Sequence, residues 1–298
     1  MVDQAEQLRR LVSAVPQQRK ILRRKRIPRV ITVTSGKGGV GKTSVVINLA
    51  IALALLGKRV VIMDADLGLA NVDVIIGLVP VNTLHDVIRG KKTLTEIIIT
   101  GPEGVKIIPG ASGLEELANL TGAQRERLIE SLLSLEDMAD ILLIDTGAGL
   151  SQSVLSFVSA ADELIVVTTS EPTAITDAYG IIKVVAKNGL HRKAKLIVNQ
   201  VKNSAEGKEI AERFAQVSKK FLDLELQYLG EICSDQHVVS AVKQQQPFIT
   251  LYPRAKAAQN VRAIAARLMD LSVEKPGGVR GFVSRLTAML AQSPRNGT

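Results

Sequence analysis

Residues 36–43 read Gly-Lys-Gly-Gly-Val-Gly-Lys-Thr. The pattern Gly-x-x-x-x-Gly-Lys-Thr has a definite chemistry. Glycines let successive backbone N–H groups turn inward around phosphate oxygens. A helix starting at the end of the loop adds its dipole. Lys42 can then reach the β and γ phosphates, and the Thr43 hydroxyl can ligate Mg²⁺. The candidate phosphate cradle is therefore Gly36, Lys37, Gly38, Gly39, Val40, Gly41, Lys42, Thr43 and the adjoining Ser44. Three carboxylates accompany it. Asp64 and Asp66 follow the run Val60-Val61-Ile62-Met63, and Asp145 follows Ile141-Leu142-Leu143-Ile144. Carboxylates at the C-terminal ends of parallel strands face a ligand crevice. One is needed to hold Mg²⁺, usually through water, and another can orient or deprotonate an attacking water. No guanine-reading Asn/Thr-Lys-x-Asp follows a strand. Asn199 instead ends the run 196–198, and its amide can both donate to and accept from the edge of adenine.

Those residues need a scaffold that brings strand ends together. Short apolar runs at 30–34, 60–64, 105–108, 141–145, 164–168 and 196–201 alternate with longer stretches such as 44–56, 124–135 and 176–188. The runs are apolar throughout, as strands buried on both faces should be. The order predicts an α/β fold: a doubly wound, mostly parallel sheet with helices on both faces. One domain over 30–272 is the simplest partition, flanked by segments 1–29 and 273–298.

With 298 residues, 46% hydrophobic, the chain can bury a sizeable core. Its single cysteine, Cys233, excludes an internal disulfide and a Cys-based metal cage and suits a reducing cytosol. The longest apolar run, 45–56, is too short to span a bilayer and contains Asn48. The net charge of +9 is unevenly placed: residues 1–29 carry +7 and 273–298 carry +3, leaving the body at −1. Basic ends suit an anionic membrane surface, nucleic acid or an acidic partner. After Pro276-Gly277-Gly278, the residues Val279, Phe282, Val283, Leu286, Met289 and Leu290 recur at helical spacing. Arg280, Ser284, Arg285 and Thr287 fall on the other side. Such a basic amphipathic helix can lie on a membrane or pack back on protein.

The extra lysine in Lys37-Gly38-Gly39-Val40-Gly41-Lys42-Thr43 marks the deviant phosphate loop of the MinD/ParA ATPases, which the chain resembles. The resemblance implies a Mg²⁺-dependent ATPase with ATP as its nucleotide. It implies that Lys37 acts in trans across an ATP-bound homodimer. Asp66 would act on the water, Asp64 and Asp145 on Mg²⁺ and its hydration shell, and Gly149 as a γ-phosphate sensor. Ala148 stands where the family pattern has another residue. Asn199 would read adenine, aided by Ser234 and Asp235, which match a family base loop in part. The tail resembles the membrane-targeting helix of MinD, with Phe282, Val283, Leu286, Met289 and Leu290 as its membrane face.

Asp3-Gln4-Ala5-Glu6-Gln7-Leu8-Arg9 resembles the Asp-Gln-Ala-x-x-Leu-Arg element of the flagellar-number branch, the FlhG type, also called YlxH or FleN. That branch implies contact of Asp3, Gln4, Ala5, Leu8 and Arg9 with the SRP-type GTPase FlhF, and flagellar basal-body proteins of the switch complex as further partners. It also implies a cytoplasmic chain peripheral at the inner face of the cell membrane. A MinD-like division-site ATPase is the alternative. A ParA-like partition ATPase fits less well, because the neutral body makes nucleic acid a poor partner. Iron–sulfur carriers need more cysteines than this chain has.

Overall fold

The computed structural model describes residues 27–66, 72–78, 80–110, 121–271 and 276–292. Eight strands form one sheet: β1 (Arg29–Ser35), β2 (Val60–Ala65), β3 (Ile99–Thr100), β4 (Lys106–Ile108), β5 (Ile141–Ala148), β6 (Glu163–Thr168), β7 (Lys193–Val201) and β8 (Glu225–Cys233). Their spatial order is β3-β4-β2-β5-β1-β6-β7-β8. Only the β3–β4 pair is antiparallel; the other pairings are parallel. This is the doubly wound sheet that the alternation of runs predicts. The chain leaves β1 toward β2 on one side and later crosses to β6 on the other, so β1 lies where the winding reverses. Ligands bind at the carboxyl ends of strands at such a point.

Two strands escaped the sequence reading, and both lie at sheet edges. β3 has two residues. β8 pairs with β7 alone and leaves Glu225 exposed and Leu226, Gln227 and Tyr228 half-buried. A strand covered incompletely is under no pressure to be apolar throughout, so the criterion that found the central strands could not find it.

The longer helices are α1 (Lys42–Leu55), α2 (Gly122–Leu133), α3 (Gln152–Ala160), α4 (Pro172–Lys187), α5 (Ser204–Leu222), α6 (Gln236–Lys243), α7 (Lys256–Asp270) and α8 (Gly278–Gln292). α1 is apolar around its whole circumference, and residues 45–53 are buried in it. It is a core helix held between the sheet and α7, with Ile47, Leu49 and Ile51 in one cluster with Val261 and Ile264. On the opposite face, α2, α3 and α8 cover Val30, Val61, Leu142 and Ile144. Farther along that face α4 and α5 cover Leu164, Val166, Leu196 and Val198.

The tail helix α8 is docked on the body. Its apolar side does not face outward. Val279 and Phe282 are 0% exposed, Val283 and Leu286 are buried, and Met289 is half-buried. Phe282 stacks on Phe157 of α3 with ring centroids 6.4 Å apart. The side chain of Leu290 lies outside what is described. The physical reason is local. The face of the sheet beside α3 is itself apolar, and an apolar stripe that can reach it buries there. Polar contacts fix the docking. Asp162 accepts from the Gly277 N–H at 2.8 Å, from Gly278 N–H at 3.2 Å and from the Arg285 guanidinium at 2.9 Å. Arg280 pairs with Glu136 at 2.9 Å. The segment 273–298 is thus not wholly separate from the body, because its helix completes one side of the core. No helix among the described residues is long and apolar enough to cross a membrane. Asp3, Gln4, Ala5, Leu8 and Arg9 lie outside the described residues.

Candidate functional site

β1 runs into the loop 36–41, and α1 begins at Lys42. Two glycines there are required by geometry. A Cβ on Gly36 would stand 2.2 Å from the Asp177 carbonyl carbon of α4. Gly41 has φ +82°, and a Cβ there would stand 2.5 Å from Asn199 Nδ2. The loop is therefore wedged between the backbone of α4 and the end of β7. Lys42 is the first residue of α1, and its ammonium lies 2.5 Å from Asp145 Oδ1 in a buried pair.

Asp145 and Asp64 are partners in the register of the parallel β2–β5 pair, so the two carboxylates sit side by side at the strand ends. Asp64 accepts the Asp66 N–H at 3.0 Å, which holds the chain at the end of β2. Asp66 reaches the end of β5, its Oδ1 being 3.4 Å from where a Cβ on Gly147 would stand. Burial pushes the Asp145 carboxyl up, against the Lys42 ammonium and the Thr43 hydroxyl, which favour the ionised form; the Asp66 charge adds to the upward shift. Asp145 Oδ2 is buried without a hydrogen-bond partner among the described residues. That orphaned oxygen, two adjacent carboxylates and the Thr43 hydroxyl make an all-oxygen donor set, which suits Mg²⁺.

Gly149 sits just past β5 with φ +90°, and its N–H donates to Ser35 C=O at 2.8 Å. The loop's other lysine behaves differently from Lys42. Lys37 Nζ reaches Glu171 Oε2 at 3.0 Å and Thr173 Oγ1 at 3.2 Å, at the start of α4. It is half-exposed, with 44% of its side-chain surface open. The two lysines that the motif places five residues apart thus serve different surroundings.

A cavity of about 570 Å³ opens beside the cradle. Gly41, Ser44 and Asn199 form one side of it, and Cys233, Ser234 and Asp235 another. The Asn199 amide donates to Val40 C=O at 2.8 Å, so one of its N–H groups holds the phosphate loop. Asp235 caps α6: it accepts the His237 N–H at 2.9 Å and, through its other oxygen, the Ala257 N–H at 3.3 Å. Burial opposes its ionisation, but the bonds to His237 and Ala257 hold the carboxyl below its ordinary value. Burial pushes the Cys233 thiol up.

Sequence reasoning missed Gln200, Val239, Val242 and Phe248 on this cavity. Gln200 alone leaves a trace, since it has φ +57° at a register shift between Asn199 and Val201. That bulge turns Asn199 toward the loop. The others come from α6 and the turn after it, and no local pattern marks them.

A phosphate loop at the centre of a doubly wound sheet, with two carboxylates on neighbouring strand ends and a base-sized cavity alongside, defines a P-loop nucleoside triphosphatase. A ParA family model, described as the NUBPL iron-transfer P-loop NTPase, matches residues 26–269. The chain belongs to this ParA/MinD family of P-loop ATPases and uses ATP and Mg²⁺. It is 42% identical over 269 residues to the antiactivator FleN of Pseudomonas aeruginosa, covering 90% of this chain and 95% of that one. It is 36% identical over 268 residues to the flagellum site-determining protein YlxH of Helicobacter pylori, covering 87% and 90%. Among solved structures, the septum site-determining protein MinD from Pyrococcus horikoshii in complex with Mg-ADP matches with a TM-score of 0.66. That match has 30% identity and covers 82% of this chain and 97% of the other.

Proposed function

We propose that this ATPase is a dimerising, membrane-associating switch that controls flagellum number and placement together with the SRP-type GTPase FlhF. One observation carries the reading: FleN, an antiactivator, and YlxH, a flagellum site-determining protein, match it over nearly the whole chain. The Asp3-to-Arg9 element adds to it. A division-site role fits less well, because the basic extension 1–29 has no task there.

In this reading Lys42 holds the β and γ phosphates of ATP. Thr43, Asp64 and Asp145 would hold Mg²⁺, which when bound would supply positive charge against the phosphates. Asp66 orients the attacking water, and Gly149 gives up its bond to Ser35 when a γ-phosphate is present. Asn199, Ser234 and Asp235 border the adenine. Lys37 leaves Glu171 and Thr173 to reach the nucleotide of a second copy, so two chains enclose two ATP molecules. Hydrolysis removes the γ-phosphate contact that favours the dimer.

The docked tail gives the membrane step a direction. Each fully buried apolar side chain contributes about 1.5–3 kcal/mol, so α8 leaves the body only for a surface that covers it equally well. Two released helices held by one dimer bind a bilayer with avidity that a single helix lacks.

The flagellar assignment is tested on the extension. A peptide of residues 1–25 accelerates GTP hydrolysis by FlhF, and Gln4→Ala in it abolishes the acceleration. A rate unaffected by the wild-type peptide removes the reason to prefer FlhF as partner.

A further inference from the structure

From Val45 to Leu53 the buried run of α1 is apolar except at one place. Asn48 stands in the middle of that run and is 0% exposed. An asparagine there costs helix propensity and brings two polar hydrogens and two lone pairs into a dry core. Two partners account for it. Its Nδ2 donates to Ser44 C=O, one turn back in α1, at 2.8 Å. Its Oδ1 accepts the N–H of Ile249 at 2.9 Å, across 201 residues of chain. The two contacts also fix the orientation of the amide, since a backbone N–H needs an oxygen and a carbonyl needs an N–H.

The Ile249 N–H lies in the first turn of the short helix Phe248–Leu251. N–H groups of a first turn have no acceptor within their own helix. The residue before this turn is Pro247, which provides no side-chain cap. Asn48 supplies the missing acceptor from another element. The turn so capped carries Phe248, which is 3% exposed and forms part of the cavity beside the phosphate loop. Ser44, the other partner of Asn48, lines the same cavity.

We infer that Asn48 is a positioning residue for the nucleotide base: it joins the helix that holds the phosphates to the wall that faces the base. This rests on the reading that the cavity between Gly41 and Phe248 takes the adenine. A residue that only filled the core would affect every ligand of the folded protein alike. A residue that sets the base wall affects ligands that carry a base and spares those that do not.

The test compares Mg-ADP with Mg-pyrophosphate by titration calorimetry on the full chain. The wild type prefers ADP. In Asn48→Leu, close in volume but without an acceptor, ADP affinity falls roughly tenfold, the effect of one buried donor left unpaired, and pyrophosphate affinity changes by less than about twofold. Equal losses for both ligands overturn the inference and leave Asn48 a core residue. A wild type that binds both equally tightly overturns instead the reading of the cavity as a base site. A wild-type measurement needs no variant to fold. The Ile249 amide exchanges its hydrogen as slowly as the amides of α1, and exchange at the rate of an open loop overturns the proposal.

Discussion

Lys42 and Asp145 sit 2.5 Å apart in a buried pair, and phosphate oxygens have to compete with that carboxylate for the ammonium. The loop around them tolerates little change. Gly41→Ala places a Cβ 2.5 Å from Asn199 Nδ2 at a φ of +82°. Strain of that kind costs on the order of 1–3 kcal/mol, so ADP affinity should drop by roughly tenfold or more. Unaltered affinity in calorimetry would mean that Asn199 moves freely and does not brace the loop. A second buried charge cluster lies at the opposite ends of the strands. Glu163 of β6 accepts from Arg29 Nε at 2.7 Å and pairs with Lys195 at 2.8 Å. Burial alone would push its carboxyl up, but the Arg29 and Lys195 charges outweigh burial and hold it below the ordinary 4.5. A depressed carboxyl stabilises the fold above the unfolded value and loses that contribution as pH falls through the folded one. Glu163→Gln should therefore lower stability at pH 7 by roughly 3 kcal/mol, leaving two buried cations without their partner. The gap to wild type should narrow as the pH falls below 4.5, read as Tm across a pH series. A gap independent of pH would show that Glu163 acts by packing.

Among elements, α8 is the one whose role depends most on where it is docked. Its apolar residues are the same whether a core or a bilayer covers them, so sequence periodicity could not choose between the two. Asp162 binds the helix start and Arg285 without belonging to the apolar face. Asp162→Ala should therefore loosen α8 while leaving its apolar residues intact. The expected result is severalfold more pelleting with anionic liposomes in the absence of ATP, lost again when residues 279–290 are deleted. Pelleting that ignores both changes would assign α8 to the core alone. The Arg280–Glu136 pair is exposed on the arginine side, with 74% of that side chain open, and adds little to docking.

At the level of the whole molecule, the proposed switch requires that ATP change the number of chains in the particle. In that proposal Lys37 ties chemistry to assembly by leaving Glu171 and Thr173, its partners in its own chain. Asp66→Ala should slow hydrolysis and leave ATP bound, so the variant accumulates as a dimer in light scattering with ATP and stays monomeric with ADP. A monomer with ATP would sink the assembly step while leaving the phosphate site intact. The body is near neutral and the ends are basic, so the proposed attraction for an anionic surface would act through residues 1–29 and 273–298.

The phosphate loop, the central strands and the three carboxylates were legible in the sequence because each is a local pattern. A strand buried on both faces must be apolar along its length, and a loop around phosphates must have glycine where φ turns positive. The cavity beside the phosphate loop was legible only in part. Asn199 announced itself at a strand end, whereas Phe248, Val239 and Val242 come from segments that meet the loop only when α6 and the following turn fold over it. The same limit applies to Asn48, which reads as a flaw in an apolar helix until Ile249 is beside it. It applies to α8 as well. Amphipathicity states that a face must be covered, and only the tertiary structure, by placing Phe157 beneath that face and Asp162 at the helix start, decides what covers it.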